Sequence, residues 1–357
     1  MRSKGGKAMK SIKKPQITNL LKESNKHQNV YVPVESEQGD ALFTLLPKSG
    51  NKLDNLLKAV NLDSPWVIIP PKDIFFPQQE DMFHFDNDKV TEHIVTSRKI
   101  IFGITPCDLK GLLFSDEFFK RDIDDVYYLS RIKDRLIIVI GCLHPPRPES
   151  CFCTSTKTGP FSESGYDVQL VDIGDGYLVE IGSIKGQEYV DKHSKFFVEA
   201  DVKTSMKLKT VKLRAQENIK LHVDFEMALE IMKGKNDFKE NYKRIGERCL
   251  YCGGCLYTCP TCTCFNVFDE GDSDQGVRRR NWDGCVYEGY TREASGHNPR
   301  TEKWIRTARR YEHKLKYDCI IAGESGCVGC GRCLSSCPVN IGMSKFVQEI
   351  TENIRTM

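Results

Sequence analysis

The sequence predicts an α+β chain, with a mixed α/β N-terminal part followed by a smaller, cysteine-rich C-terminal part. Two observations predict it. Short apolar runs at Val67–Pro70, Ile100–Ile104 and Leu136–Gly141 have the length of buried strands, and Leu109–Phe119 between the last two reads as helix. Past Gly246 the composition changes: residues 246–357 hold twelve of the sixteen cysteines. A length of 357 residues suits two domains.

In chain order, residues 1–14 carry Arg2, Lys4, Lys7, Lys10, Lys13 and Lys14 with no acid, and read as a frayed basic tail. Residues 15–200 form the mixed α/β domain. Within it, two apolar runs flank Gly174-Asp175-Gly176 between Tyr166 and Gly182, which signals a hairpin. Residues 201–245 are charged and poor in Gly and Pro, and read as a helical connector. Residues 246–357 form the last domain, with an insert over 261–326.

Composition narrows the function. A net charge of +3 is too small to argue for nucleic acid. The N-terminus lacks the apolar stretch of a secretory signal. No apolar run approaches the roughly 20 residues of a bilayer span. The chain is therefore expected in the cytoplasm. There the medium is reducing, and clustered cysteines bind metal or do redox chemistry.

One repeat carries that chemistry. Cys249–Pro260 reads CLYCGGCLYTCP and Cys327–Pro338 reads CVGCGRCLSSCP, both of the form C-x-x-C-x-x-C-x-x-x-C-P. A four-iron, four-sulfide cube needs four converging thiolates. Three come from the tight first part of each quartet, and the fourth crosses to the other cube. One 4Fe–4S cluster is expected on Cys249, Cys252, Cys255 and Cys337, and the other on Cys327, Cys330, Cys333 and Cys259. Gly253, Gly254, Gly329 and Gly331 suit the cramped loops. Paired C-x-x-C motifs can also bind zinc, but two identical quartets each ending in Cys-Pro fit a bacterial-ferredoxin-like domain better.

Two further groups of thiols are open to more than one reading. Cys107 and Cys142 each follow a predicted strand, and Cys151 and Cys153 stand close behind Cys142. Neighbouring strand ends would bring Cys107 and Cys142 to one sheet edge, and Cys151 and Cys153 are near enough to return to them, which suggests a third 4Fe–4S cluster. A redox-active or structural thiol group is the alternative. In the insert, Cys262, Cys264 and Cys285 read as buried thiols packed around the clusters, or as a metal site with His297. Cys319 reads as incidental. Between Arg278 and Lys316 eleven Lys or Arg stand against five Asp or Glu, which suits a docking surface, compensation of cluster charge, or a solvated basic face. No dinucleotide fingerprint, Walker A loop, H-E-x-x-H or nucleophile elbow occurs.

The order PKDIFFPQ, TPCDLKG, GC, CFC, GYD, CPTCTCF, R-x-x-WDGC, GHNPR and CVGCGRCLSSCP resembles a known family over nearly the whole chain from about residue 30. It resembles the iron–sulfur beta subunit of cytoplasmic nickel–iron hydrogenases of the sulfhydrogenase type, and equally the corresponding iron–sulfur subunit of the anaerobic sulfite reductase. The resemblance implies an electron-transfer subunit standing between a flavin- and NAD(P)-binding subunit and a catalytic one, hydrogenase-like or sulfite-reductase-like. It places Cys107, Cys142, Cys151 and Cys153 at the family's CD, C and CFC positions. A self-contained reductase acting through those four thiols is the alternative.

Overall fold

A computed structural model describes residues 9–63, 65, 67–234 and 236–356, the side chains of 354–356 excepted. The described strands are β1 (Lys10–Lys13), β2 (Asn29–Glu35), β3 (Ala41–Leu45), β4 (Gln79–Asp86), β5 (Lys89–Glu92), β6 (Lys99–Ile104), β7 (Arg135–Ile140), β8 (Val168–Asp172), β9 (Gly176–Ile181), β10 (Val198–Glu199), β11 (Phe265–Gly271) and β12 (Gln275–Trp282). Helices and these strands together make the chain α+β, as the sequence predicts.

The larger sheet has the order β10-β1-β9-β8-β7-β6-β2-β3 among the described residues. Its centre, β8-β7-β6-β2, is parallel. Such strands are covered on both faces and so read as continuous apolar runs. The pleat sends Ile100, Phe102, Ile138 and Ile140 into one core, and Ile101, Ile104, Ile137 and Val139 into the other. β8 and β9 form the hairpin expected around Asp175-Gly176.

Two expectations fail here. Val67–Pro70 is not a strand: Val67 makes one isolated bridge to Ala41, and Pro70-Pro71 supplies no N–H to continue a ladder. Lys10–Lys13 is not a frayed tail but β1, hydrogen-bonded between β9 and β10. Ile12, 1% exposed, anchors it in the core, and the Lys14 ammonium meets Asp172 at 2.8 Å. The rest of the expected tail, residues 1–8, lies outside the described residues.

A second sheet joins distant parts of the chain in the order β11-β12-β4-β5. β12, from the insert, pairs with β4, from the N-terminal region. Beneath their junction Arg280, 1% exposed, donates to Glu80 (Nε–Oε1 2.8 Å) and pairs with Asp125. The 201–245 stretch supplies the helices Val202–Asn218 and Phe225–Lys233 and the start of Lys239–Arg248. The last two pack with Lys303–Glu312 and Met343–Thr356 around Phe152, Ala228, Tyr311, Phe346 and Ile350. No helix among the described residues is long and apolar enough to cross a membrane.

Candidate metal centres

Each quartet folds alike. A left-handed glycine, Gly253 (φ 74°) or Gly331 (φ 77°), opens a one-turn helix, Gly254–Tyr257 or Arg332–Ser335. The third cysteine lies in that turn. The fourth, Cys259 or Cys337, lies just past it. Cys249, Cys252, Cys255 and Cys337 line one cavity, so the last cysteine of the second quartet reaches the first three of the first. Cys333 lies at its wall. In the reciprocal sense, the Cys327 thiol lies within electrostatic reach of Cys333 and Cys259, and Cys330 of Cys259 and Cys333.

The surroundings suit sulfur anions. The backbone N–H of Tyr251 donates to Cys249 Sγ (3.4 Å), that of Met343 to Cys333 Sγ (3.3 Å) and that of Ile341 to Cys337 Sγ (3.5 Å). Burial is the chief cause that raises the Cys255 thiol to about 11 and the Cys327 thiol to about 12, with neighbouring cysteines adding to it. Cations offset it: Arg310 lowers Cys255, and Lys314 lowers Cys327. An all-thiol donor set with N–H groups aimed at sulfur is what a cubane requires. Among the described residues no three Cys, His, Asp or Glu draw close enough to hold a single ion. Thiolates bound to different irons of one cube stand farther apart than ligands of one ion.

The four N-terminal cysteines also come together. Cys107 sits in the first turn of the helix Pro106–Phe118, directly after β6, and Cys142 follows β7, the parallel neighbour of β6. Cys107 lies within electrostatic reach of Cys142 and Cys153, and Cys142 of Cys153 and Cys151. Burial raises all four thiols above the ordinary range, Cys153 up to about 12. All sixteen cysteines are free of disulfides.

This group abuts the second quartet. Phe152 N–H donates to Gly329 O (2.9 Å), Thr158 Oγ1 to Val328 O (2.6 Å), and Cys151 Sγ–H to Cys330 O (3.8 Å). A Cβ on Gly331 would lie 2.3 Å from Ser150 O, and one on Gly329 2.8 Å from Cys153 N. Only glycine lets the two loops touch. The Cys107 and Cys330 thiols are within electrostatic reach of each other.

The other sequence candidates divide. The Cys262 thiol lies within electrostatic reach of Cys259, and Cys264 of Cys285. His297 is 65% exposed at its side chain and pairs with Glu293, away from these thiols. Cys319 Sγ–H donates back to Leu315 O and stands apart from the cysteine groups. The basic insert is not one solvated face: Arg278 is half-buried, and Arg280, Arg306, Arg310 and Lys314 are buried. Sequence reasoning missed the buried charges Lys72, Asp108, Arg310, Lys314 and Arg332. The spacing of Arg306, Arg310 and Lys314, four apart on one helix face, was a legible signal.

Residues 248–341 match the family model of a 4Fe-4S dicluster domain. The chain is 32% identical over 343 residues to the sulfhydrogenase 2 subunit beta of Pyrococcus furiosus, covering 95% of this chain and 96% of that one. Two four-iron clusters therefore belong to the C-terminal region, and the protein is a member of the family of iron–sulfur beta subunits of sulfhydrogenase type.

Proposed function

We propose that the chain relays single electrons within a multisubunit oxidoreductase, between a flavin- and NAD(P)-binding subunit and a catalytic subunit of the hydrogenase type. The relative is named as one subunit of a sulfhydrogenase, which supports both the complex and the hydrogenase-like branch over a sulfite-reductase-like one. In this reading the clusters rest on Cys249, Cys252, Cys255 and Cys337 and on Cys327, Cys330, Cys333 and Cys259. A third rests on Cys107, Cys142, Cys151 and Cys153. The complex works in the cytoplasm.

One observation carries the reading: the N-terminal thiols, the second quartet and the first quartet adjoin in series, with Cys107 beside Cys330 and Cys333 beside Cys255. The bound clusters supply one-electron transfer. The chain's own residues shield the thiols other than exposed Cys252, aim N–H groups at sulfur and set Arg310, Lys314 and Arg332 nearby. Each of these moves cluster potentials.

Anaerobic purification of a tagged full-length chain from its own cells tests the proposal. A flavoprotein and a nickel–iron subunit are expected with it. NAD(P)H should reduce its clusters only when the flavoprotein is present. Turnover of NAD(P)H by the isolated chain would favour a self-contained reductase instead.

A further inference from the structure

Cys262, Cys264 and Cys285 have no part in that relay, yet the fold gathers them. Cys262 and Cys264 lie on the segment from Cys259 into β11, and Cys285 lies three residues past the end of β12. The β11–β12 ladder pairs Phe265 with Trp282, and Asp283 N–H donates to Cys264 O at 3.0 Å. The hairpin thus sets Cys264 against Cys285. All three thiols line one cavity of about 40 Å³; that of the first quartet measures about 30 Å³.

The walls of this cavity carry cations. Arg310 (4% exposed), His313 and Lys314 (5%) line it. Lys72 (3%) donates to Cys262 O at 2.7 Å. Arg310 Nε is buried without a hydrogen-bond partner. Buried cations cost several kcal/mol each unless an anion faces them. The carboxylate at the cavity, Asp318, is committed to His313 (Nε2–Oδ1 3.2 Å). An imidazole tied to a carboxylate through one nitrogen is the usual posture of a metal-ligating histidine. The helix also widens to a π-turn over His313–Tyr317, a distortion common at functional sites.

We propose that Cys262, Cys264, Cys285 and His313 hold a further four-iron cluster. Its thiolates add to the negative charge that Arg310, Lys314 and Lys72 face, part of which the ferredoxin-type centres supply through Cys255, Cys259 and Cys327. As at the quartets, the donors do not draw together tightly enough for a single ion among the described residues. The site adjoins both ferredoxin-type centres, through the Cys262–Cys259 contact and through Arg310, which also lines the first quartet's cavity. It approaches solvent at Ile321, 52% exposed. It therefore forms a side branch of the relay with its own outlet.

The test uses the full-length chain, reconstituted anaerobically with ferrous iron and sulfide. The double variant Cys264→Ser/Cys285→Ser should hold about four irons fewer than the unaltered chain. The reduced unaltered chain should show strong histidine nitrogen coupling by pulsed electron paramagnetic resonance. His313→Cys should keep its iron and lose that coupling. Equal iron in the unaltered chain and the double variant overturns the proposal. So does a reduced chain without histidine coupling, and that second readout decides the matter even where the double variant fails to fold. Loss of iron in Cys107→Ser/Cys151→Ser reports on the N-terminal group separately, so each assignment can fail alone.

Discussion

The guanidinium of Arg332, inside the second quartet, grips the carboxylate of Asp108, the residue after Cys107, with Nη2–Oδ2 at 2.7 Å. Both residues are at most 2% exposed, and Arg332 Nε also donates to Val67 O at 2.7 Å. One ion pair thus locks the N-terminal thiol group to the C-terminal one.

Breaking that pair should be costly. Asp108→Asn removes the charged partner of a buried ion pair, a loss of about 3–5 kcal/mol. The thermal midpoint of the loaded protein should drop accordingly. Arg332→Lys should not preserve stability, because an ammonium cannot reproduce the two-pronged contact. An unchanged midpoint in Asp108→Asn would contradict a structural role for the pair.

The crossing of the quartets predicts which centre each fourth cysteine serves. Cys259→Ser should perturb the centre of Cys327, Cys330 and Cys333 and spare that of Cys249, Cys252 and Cys255. Cys337→Ser should do the reverse. Electron paramagnetic resonance of the reduced variants distinguishes the two. Damage confined to a variant's own quartet would refute the crossing.

The N-terminal thiols predict an iron count. The two ferredoxin-type clusters account for about eight irons per chain, a cluster on the N-terminal thiols adds about four, and the cluster proposed at Cys262, Cys264, Cys285 and His313 adds about four more. Cys151→Ser or Cys107→Ser should lower the count by about four and leave the spectra of the two ferredoxin-type centres in place. An unaltered count would leave these thiols as a docking or structural group.

Lys99 gives the fold a pH signature away from the metal centres. It is 3% exposed, donates to Arg131 O (3.1 Å), and burial pulls it down to about 8. The unfolded value is about 10.4. Between those values the unfolded chain binds more protons, so stability rises with pH through the window. Lys99→Met lacks this term. Relative to the unaltered chain it should therefore lose about 2 kcal/mol between pH 7 and 9.5. Paired thermal melts at the two pH values measure the difference. A constant offset would show that Lys99 is not desolvated.

What the sequence made legible follows the range of the interactions. The quartets are local: their spacing dictates the turns, so Cys249 to Cys259 and Cys327 to Cys337 could be read directly. β6 and β7 were legible because buried parallel strands are apolar at every position. Gathering Cys107 and Cys142 needed only that those strands be neighbours. β1 was hidden because a single apolar residue, Ile12, among lysines carries no period. The β4–β12 pairing and the Asp108–Arg332 clamp join residues far apart in the chain, and no local pattern announces them. His297 was a plausible ligand by residue type alone; the fold puts it at the surface and brings His313 to the thiols instead.

The β4–β12 ladder also bears on how the chain is made. Asp86 and Gln275 are 189 positions apart. At the usual pace of about 5–20 residues per second, a ribosome needs roughly 10–40 s to deliver β12 after β4 has emerged. Throughout that time the β4–β5 hairpin presents an open edge, the kind of surface on which nascent chains associate wrongly. Neither ferredoxin-type centre can be finished until still later, because Cys327, Cys330, Cys333 and Cys337 all follow β12. Closure of the small sheet and loading of both ferredoxin-type centres are thereby late events, each waiting on chain made long after β4.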